Sequence, residues 1–326
     1  MTQLTSKLAH ELIGALDDIW QAYFHNQPKA PYQYAQWERQ RQRVKERLRR
    51  LPEYVTKAAA FVHVVKDARG QHTTVPLVQR TMLLIFKRLM ERSNRGMEDI
   101  LIVFSPLFGF ERCYKFVERL YSDVEVQLTL HNLFILLVRE EGASGQYSGD
   151  GTGYALTMEN HYRKDPQKHG KKYVHVFFMI DIDTGLYVGY GHSQRSEMDA
   201  FHKALNVMTE LDVDIESVRL DKYFSSRKVI RLFDMDVALY LIPKKNITSF
   251  GAQWPPIFQQ IFLDPITFLT EYFYRNLSET GHSTDKRRFG SQIQQHRIER
   301  QETETKCIGV LHNFFATRVK QEPIQS

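Results

Sequence analysis

Cysteine is scarce in this chain: Cys113 and Cys307 are the two present among 326 residues, far apart and without a Cys-x-x-Cys or His-Glu-x-x-His companion. Their scarcity argues against a disulfide framework and a thiolate zinc site, and it fits a reducing compartment. Long apolar runs are missing too. The longest, Leu128 to Val138, is interrupted by His131 and Asn132, is too short to span a bilayer, and is not accompanied by a signal-like N-terminus. A soluble, cytoplasmic protein with no membrane partner is expected. The thirteen histidines show no ligand spacing, and there is no internal repeat or long low-complexity tract. The Gly-rich stretch Gly149-Asp150-Gly151-Thr152-Gly153 lacks the Lys-Ser/Thr of a phosphate-binding loop and does not open a helix as a dinucleotide fingerprint does.

What is abundant is apolar surface and positive charge. With 42% hydrophobic and 12% aromatic residues the chain can bury a substantial core in two or three structural units. Its net charge of +6 favours polyanionic partners. That excess is densest in Glu38 to Arg50 (ERQRQRVKERLRR), where Trp37, Val44, Leu48 and Leu51 give a thin apolar seam at helical spacing. A helix carrying Arg39, Arg41, Arg43 and Arg47 can follow a nucleic-acid backbone, releasing counterions as guanidinium pairs with phosphate. The plainer reading is a solvated surface helix.

The periodicity predicts a helix over Leu4 to Phe24, then helices over Leu77 to Arg92, Ser105 to Tyr121 and Val124 to Val138. Phe108 to Tyr121, with Arg112, Lys115 and Arg119, is the candidate for a groove-reading helix. The polar Glu140 to Ser148 marks a boundary, after which the pattern changes to strands at Asp150 to Met158, Tyr173 to Asp181 and Leu186 to Gly191, the last two joined by a turn at Asp183-Thr184-Gly185. A helix over Ser196 to Leu211, a strand into Asp221, a helix over Ser225 to Phe233, a strand over Val237 to Ile242 and a late helix follow. The expected units are 1–75 (basic, helical), 76–143 (helical, helix-turn-helix-like), 144–320 (α/β, catalytic) and a tail, 321–326.

The chemistry gathers late in the chain. Tyr272, Arg275, Glu279 and Lys286 are separated by two, three and six residues. On one helix, at about 100° per residue, the last three fall within roughly 60° of Tyr272. One face would then carry a carboxylate, two cations and a phenol, the groups that phosphoryl transfer on a polyanion requires. Gly281 and Ser283-Thr284 interrupt that pattern and suggest that Lys286 lies on a bent or looped segment. Upstream, Asp150 sits among glycines that would let a metal and a phosphate approach, and Asp221 ends a short strand. A carboxylate that caps the next helix would not easily hold a metal as well. Glu271 and Asp285 compete with Glu279 but fall off the arc of the cations, while Asp181 and Asp183 are explained by the turn. Trp254 could stack on an extruded base; the commoner role is to cover a small apolar patch.

The four-residue spacing, with Asp150 and Asp221 upstream, resembles the DDE transposases of prokaryotic insertion sequences, in the group with a Y-(2)-R-(3)-E-(6)-K signature. The resemblance covers Tyr147 to about Val319. It implies an α/β, ribonuclease-H-like core of mixed sheet and flanking helices, preceded by a mostly helical DNA-binding region. It further implies Asp150, Asp221 and Glu279 as catalytic ligands of two Mg²⁺ ions, Mn²⁺ substituting, and DNA contacts from Tyr272, Arg275, Lys286, Lys244 and Lys245. The implied reaction is metal-dependent cleavage at the element ends and transfer of the 3′-hydroxyl into target DNA. The partners would be terminal inverted repeats, target DNA and further copies of the chain, on the nucleoid. A non-catalytic DNA-binding descendant and a nuclease that cuts without joining remain open alternatives.

Overall fold

Up to residue 143 helices dominate. The computed structural model describes residues 6–24, 34–65, 74–157, 173–244 and 254–317. The helices are Ser6–Ile19 (α1, continued by a π-turn to Phe24), Tyr34–Arg49 (α2), Leu51–Ala60 (α3), Leu77–Leu89 (α4), Asn94–Val103 (α5), Ser105–Phe108 (α6), Tyr114–Leu120 (α7) and Val124–Glu141 (α8). The single helix expected over Ser105 to Tyr121 is two, because Gly109 takes a left-handed φ of 74° and stops α6. Asp123 caps α8 by accepting from the Glu125 amide. Leu130, Leu133, Phe134 and Leu137 of α8 are fully buried, each contributing about 1.5–3 kcal/mol of apolar burial.

Beyond α8 the side-chain period switches to two. Gln146–Leu156 (β1), Tyr173–Asp181 (β2) and Tyr187–Ser193 (β3) form an antiparallel meander in which Asp150 faces Phe178 and Phe178 faces Tyr190. Ser196 accepts from the Asp199 amide and opens Glu197–Leu211 (α9). This helix lies so close to the sheet that a Cβ at Gly191 would stand 1.8 Å from the Ala200 carbonyl oxygen. Ser217–Leu220 (β4) returns parallel to β1, and Ala238–Tyr240 (β5) lies parallel beyond it, giving the order β3-β2-β1-β4-β5. The helix expected over Ser225 to Phe233 is one short turn of α-helix, Arg227–Ile230 (α10), after a 3-10 turn at Lys222–Phe224.

The closing elements are Pro255–Leu263 (α11), Pro265–Phe273 (α12), Asn276–Phe289 (α13), Gln292–Ile293 (β6) and Ile298–Phe315 (α14). Trp254 is fully buried beside Phe258, in the apolar-patch role. Strand β6 pairs with the far end of β1, at Ala155 and Leu156, whereas β4 pairs with its near end, Gln146 to Gly149. Among the described residues, 150–154 therefore pair on one side only, with β2. This leaves a notch in the sheet immediately after the end of β4.

Helix α14 ties the two halves together. Buried Glu304 accepts from Arg88 of α4 at 2.5 Å and from the amides of Gln294 and Gln295, while Arg88 also reaches the carbonyls of Gly290 and Gln292. One hydrophobic cluster runs from Ile13 to Phe314. No helix among the described residues is long and apolar enough to cross a membrane.

Candidate active site

Asp150 lies on β1 at the notch, where burial pushes its carboxyl up to about 7, reinforced by the charges of Glu197, Glu279 and Asp221. Its Oδ1 accepts from the Gly151 amide at 2.9 Å. Asp221 follows the last residue of β4. It caps the 3-10 turn that follows, Oδ2 accepting from the Tyr223 amide at 3.2 Å, while Oδ1 lies 3.4 Å from Arg275 Nη1. A carboxylate has acceptor sites enough for a cap and a cation together. Glu279 stands on the first turn of α13, with Oε1 2.8 Å from the same Arg275 nitrogen.

Helix α13 is registered on β1 by a ladder of polar contacts. Ser278 Oγ meets Ser148 Oγ at 2.8 Å, His282 Nε2 meets the Asp150 carbonyl at 3.1 Å, and Lys286 Nζ donates to Thr152 Oγ1 at 2.5 Å. Four helical residues rise about 6.0 Å and two strand residues about 6.6 Å, so steps of four and two stay matched over the ladder. The helix is unbroken through Gly281, which corrects the expected bend before Lys286. Glycine is needed there because a Cβ would stand 2.9 Å from the Tyr187 hydroxyl.

The four signature residues do not share one helix. Tyr272 lies in the last turn of α12, and a tight turn at Tyr274 and Arg275 precedes α13. Tyr272 is 2% exposed, so in this conformation its ring is no stacking platform for a nucleic acid. It lies 5.5 Å from the Arg275 guanidinium instead and holds that side chain against the carboxylates. Burial pushes the phenol up to about 12.

The competing carboxylates have structural work. Glu271 pairs with buried Arg219 of β4, and Asp285 accepts from the Tyr187 hydroxyl at 2.7 Å and faces His312 Nδ1 at 2.9 Å. Asp181 accepts from Ser144, Asp183 and Thr184 and closes the turn.

The structure brings one carboxylate to the site that the sequence reading treated only as a helix start. Glu197, on the first turn of α9, lies against Gly151 so closely that a Cβ there would meet its Oε1 at 1.9 Å. Burial raises its pKa, and Asp221 adds to the rise. Among the described residues neither Asp150 nor Glu197 is paired with a lysine or arginine. Gly149 and Gly151 thus make room for protein side chains, Phe177, Leu220 and Met179 at one and Glu197 at the other, rather than for a phosphate. An acidic residue in a helix's first turn has an ordinary explanation in the helix dipole, so the spacing alone could not single out Glu197.

The basic residues divide. Lys244 stacks 5.1 Å from the Tyr223 ring, two residues beyond Asp221. Lys245 lies outside the described residues. Arg39 and Arg43 face outward on α2, and Arg41 lines a groove of about 590 Å³ with Trp37, Thr280, Thr284 and Arg288. Arg47 departs from the expected DNA-facing role in this conformation: it is 9% exposed and bonded to the carbonyls of Asn313 and Ala316, with Glu141 beside it. Val44 and Arg47 form the inner face of α2, so the charged run is only partly a solvated stripe.

Among the described residues no three potential ligands converge closely enough to hold a metal ion as they stand. The donor set nonetheless suits a hard divalent cation: all oxygen, with Asp150 and Glu197 paired to no lysine or arginine among the described residues and a guanidinium lodged between Asp221 and Glu279.

Fold and site together define a mixed α/β protein with an acidic notch bordered by cations. The chain is 51% identical over 317 residues, 97% of its own length and 98% of the relative's, to a probable transposase for insertion sequence element ISA1214 of Archaeoglobus fulgidus. It belongs to the transposases of insertion sequence elements. No family model and no solved structure matches it.

Proposed function

We propose that this transposase cleaves DNA at the ends of its insertion sequence and transfers the freed 3′-hydroxyl into target DNA, with Asp150, Asp221 and Glu279 holding two magnesium ions. The observation that carries the reading is the gathering of carboxylates from β1, the end of β4 and α13 at one notch, with Asp150 pushed up to about 7. Desolvated carboxylates that repel one another favour a cation among them. The order β3-β2-β1-β4-β5, antiparallel through β1 and parallel beyond it, supports a ribonuclease-H-like core.

The ions, when bound, would supply charge for the attacking and leaving oxygens of an in-line displacement. The protein's part is positional. The two strands fix Asp150 and Asp221, and the ladder along β1 fixes the height of Glu279. Lys286, anchored on Thr152, Arg275 and Lys244 border the notch and would hold phosphates of the scissile strand. Arg39 and Arg43 would add backbone contacts farther out. Recognition of terminal inverted repeats by the helices ahead of the sheet, and action as a dimer or larger assembly on DNA, complete the reading.

The test is incubation of the purified protein with a DNA fragment holding the element and both flanks, in Mg²⁺ or Ca²⁺, with mapping of new 3′ ends. Paired cuts and joined products in Mg²⁺ alone, absent with Glu279→Gln, are expected. Binding without cutting would instead make the chain a non-catalytic DNA-binding protein, cutting without joining a nuclease, and cutting by the variant would move the third carboxylate elsewhere.

A further inference from the structure

We propose that Arg275 is a resident counter-cation that a divalent ion must displace from Asp221 and Glu279, so that cation binding and phosphate binding reinforce each other through this one side chain. The proposal rests on the metal-dependent reading above. A single nitrogen, Nη1, stands 2.8 Å from Glu279 Oε1 and 3.4 Å from Asp221 Oδ1. A guanidinium in that position and a divalent cation on the same two oxygens would lie only a few ångströms apart, and their repulsion makes the two occupancies mutually exclusive.

The arrangement also gives Arg275 a reason to leave. Its Nε is buried without a hydrogen-bond partner, so this pose leaves one donor unsatisfied. A phosphate offers two oxygens to the guanidinium fork and can satisfy the donor left idle here. The side chain starts from the turn between α12 and α13 rather than from a helix interior, and the buried Tyr272 ring supports one face of it. It can therefore swing without disturbing the ladder that registers α13 on β1. Lys286 cannot take over its role, because its ammonium is fixed on Thr152, toward the far end of the notch.

Linkage then requires reciprocity: whatever draws Arg275 onto a phosphate tightens divalent-cation binding, and the cation in turn tightens phosphate binding by the same factor. Such couplings commonly amount to roughly 5–150-fold. A duplex without the element's end sequence should be enough to show it, since the phosphate carries the effect.

The experiment is a Mn²⁺ titration of the full-length protein, with free Mn²⁺ read by electron paramagnetic resonance, with and without a 20-base-pair duplex of arbitrary sequence. Without DNA, Arg275→Gln should bind Mn²⁺ about tenfold or more tighter than the parent, and Arg275→Lys should lie between them. The duplex should tighten Mn²⁺ binding to the parent by a similar factor and change that of Arg275→Gln little. Circular dichroism and thermal unfolding establish that each variant is folded, and Arg275→Lys supplies the comparison if the glutamine variant is not. Equal or weaker Mn²⁺ binding by folded Arg275→Gln, or by folded Arg275→Lys, would overturn the proposal while leaving the metal-dependent reading intact. No Mn²⁺ binding by any form, with or without duplex, would overturn both.

Discussion

His282 Nε2 lies 3.1 Å from the main-chain oxygen of Asp150, and burial holds its imidazole down at about 4. The ring is therefore neutral at physiological pH, with Nε2–H donating to the strand. Unfolded, the same histidine titrates near 6.5, so between that value and 4 the unfolded chain binds the extra proton. Its contribution to stability is complete above about pH 6.5 and is lost as the pH falls toward 4, by up to about 3 kcal/mol. Urea unfolding across this window should show the fall, and His282→Gln, which can keep a donor but cannot titrate there, should flatten it. His282→Ala should cost about 1–3 kcal/mol at neutral pH and impair cleavage by loosening Asp150.

Gly151 and Gly191 separate a yielding contact from an unyielding one. A Cβ at Gly151 meets the carboxylate of Glu197, whereas one at Gly191 meets the backbone oxygen of Ala200. Gly151→Ala should destabilise by about 1–3 kcal/mol, and Glu197→Ala in the same chain should recover most of that. Gly191→Ala should cost more and find no single compensating truncation. Thermal unfolding of the variants decides the point.

On α2 the arginines should behave as two groups. Loss of Arg39 or Arg43 should weaken DNA binding similarly on all sequences and reduce the slope of log affinity against log salt by about 1 each. Arg47→Ala should instead lower stability by about 1–3 kcal/mol, because its bonds to Asn313 and Ala316 hold the helix to α14. Filter binding across a salt series, beside chemical unfolding, distinguishes the two.

The Arg88–Glu304 pair is buried on both sides, at 3% and 0% side-chain exposure. Glu304→Ala would strand a buried guanidinium and two β6-proximal amides, and should cost about 3–5 kcal/mol. Replacing both residues by apolar ones of similar volume should cost less than the single change. Equilibrium denaturation of single and double variants tests this.

Strands β2 to β5 were legible because alternation and turn residues bounded them, whereas β1 begins at Gln146, four residues before the expected Asp150, and β6 is too short to show a pattern; the signature spacing pointed to Arg275 in the turn before α13 and to Glu279 and Lys286 on it. Other features were hidden for physical reasons. Helix α14 buries Gln301, Thr303, Glu304, Thr305 and Asn313, so its inward face carries little apolar periodicity. The break between Tyr272 and Asn276 contains no proline or glycine to announce it. Arg47 is indistinguishable by type from the outward-facing arginines beside it, and only α14's terminal carbonyls reveal its direction. Glu197 is close to the notch in space and distant from its partners in sequence.

The notch in the sheet has a mechanical implication. Its far rim is β6, which begins three residues after α13 ends, and its floor is the stretch of β1 that α13 grips through His282 and Lys286. Rim and acidic helix are thus consecutive stretches of one backbone, fastened to the same strand at both ends. A shift of α13 as a body away from Asp150 would therefore pull on β6 at Ala155 and Leu156, so the placement of the helix that carries Glu279 is tied to the integrity of a two-residue ladder.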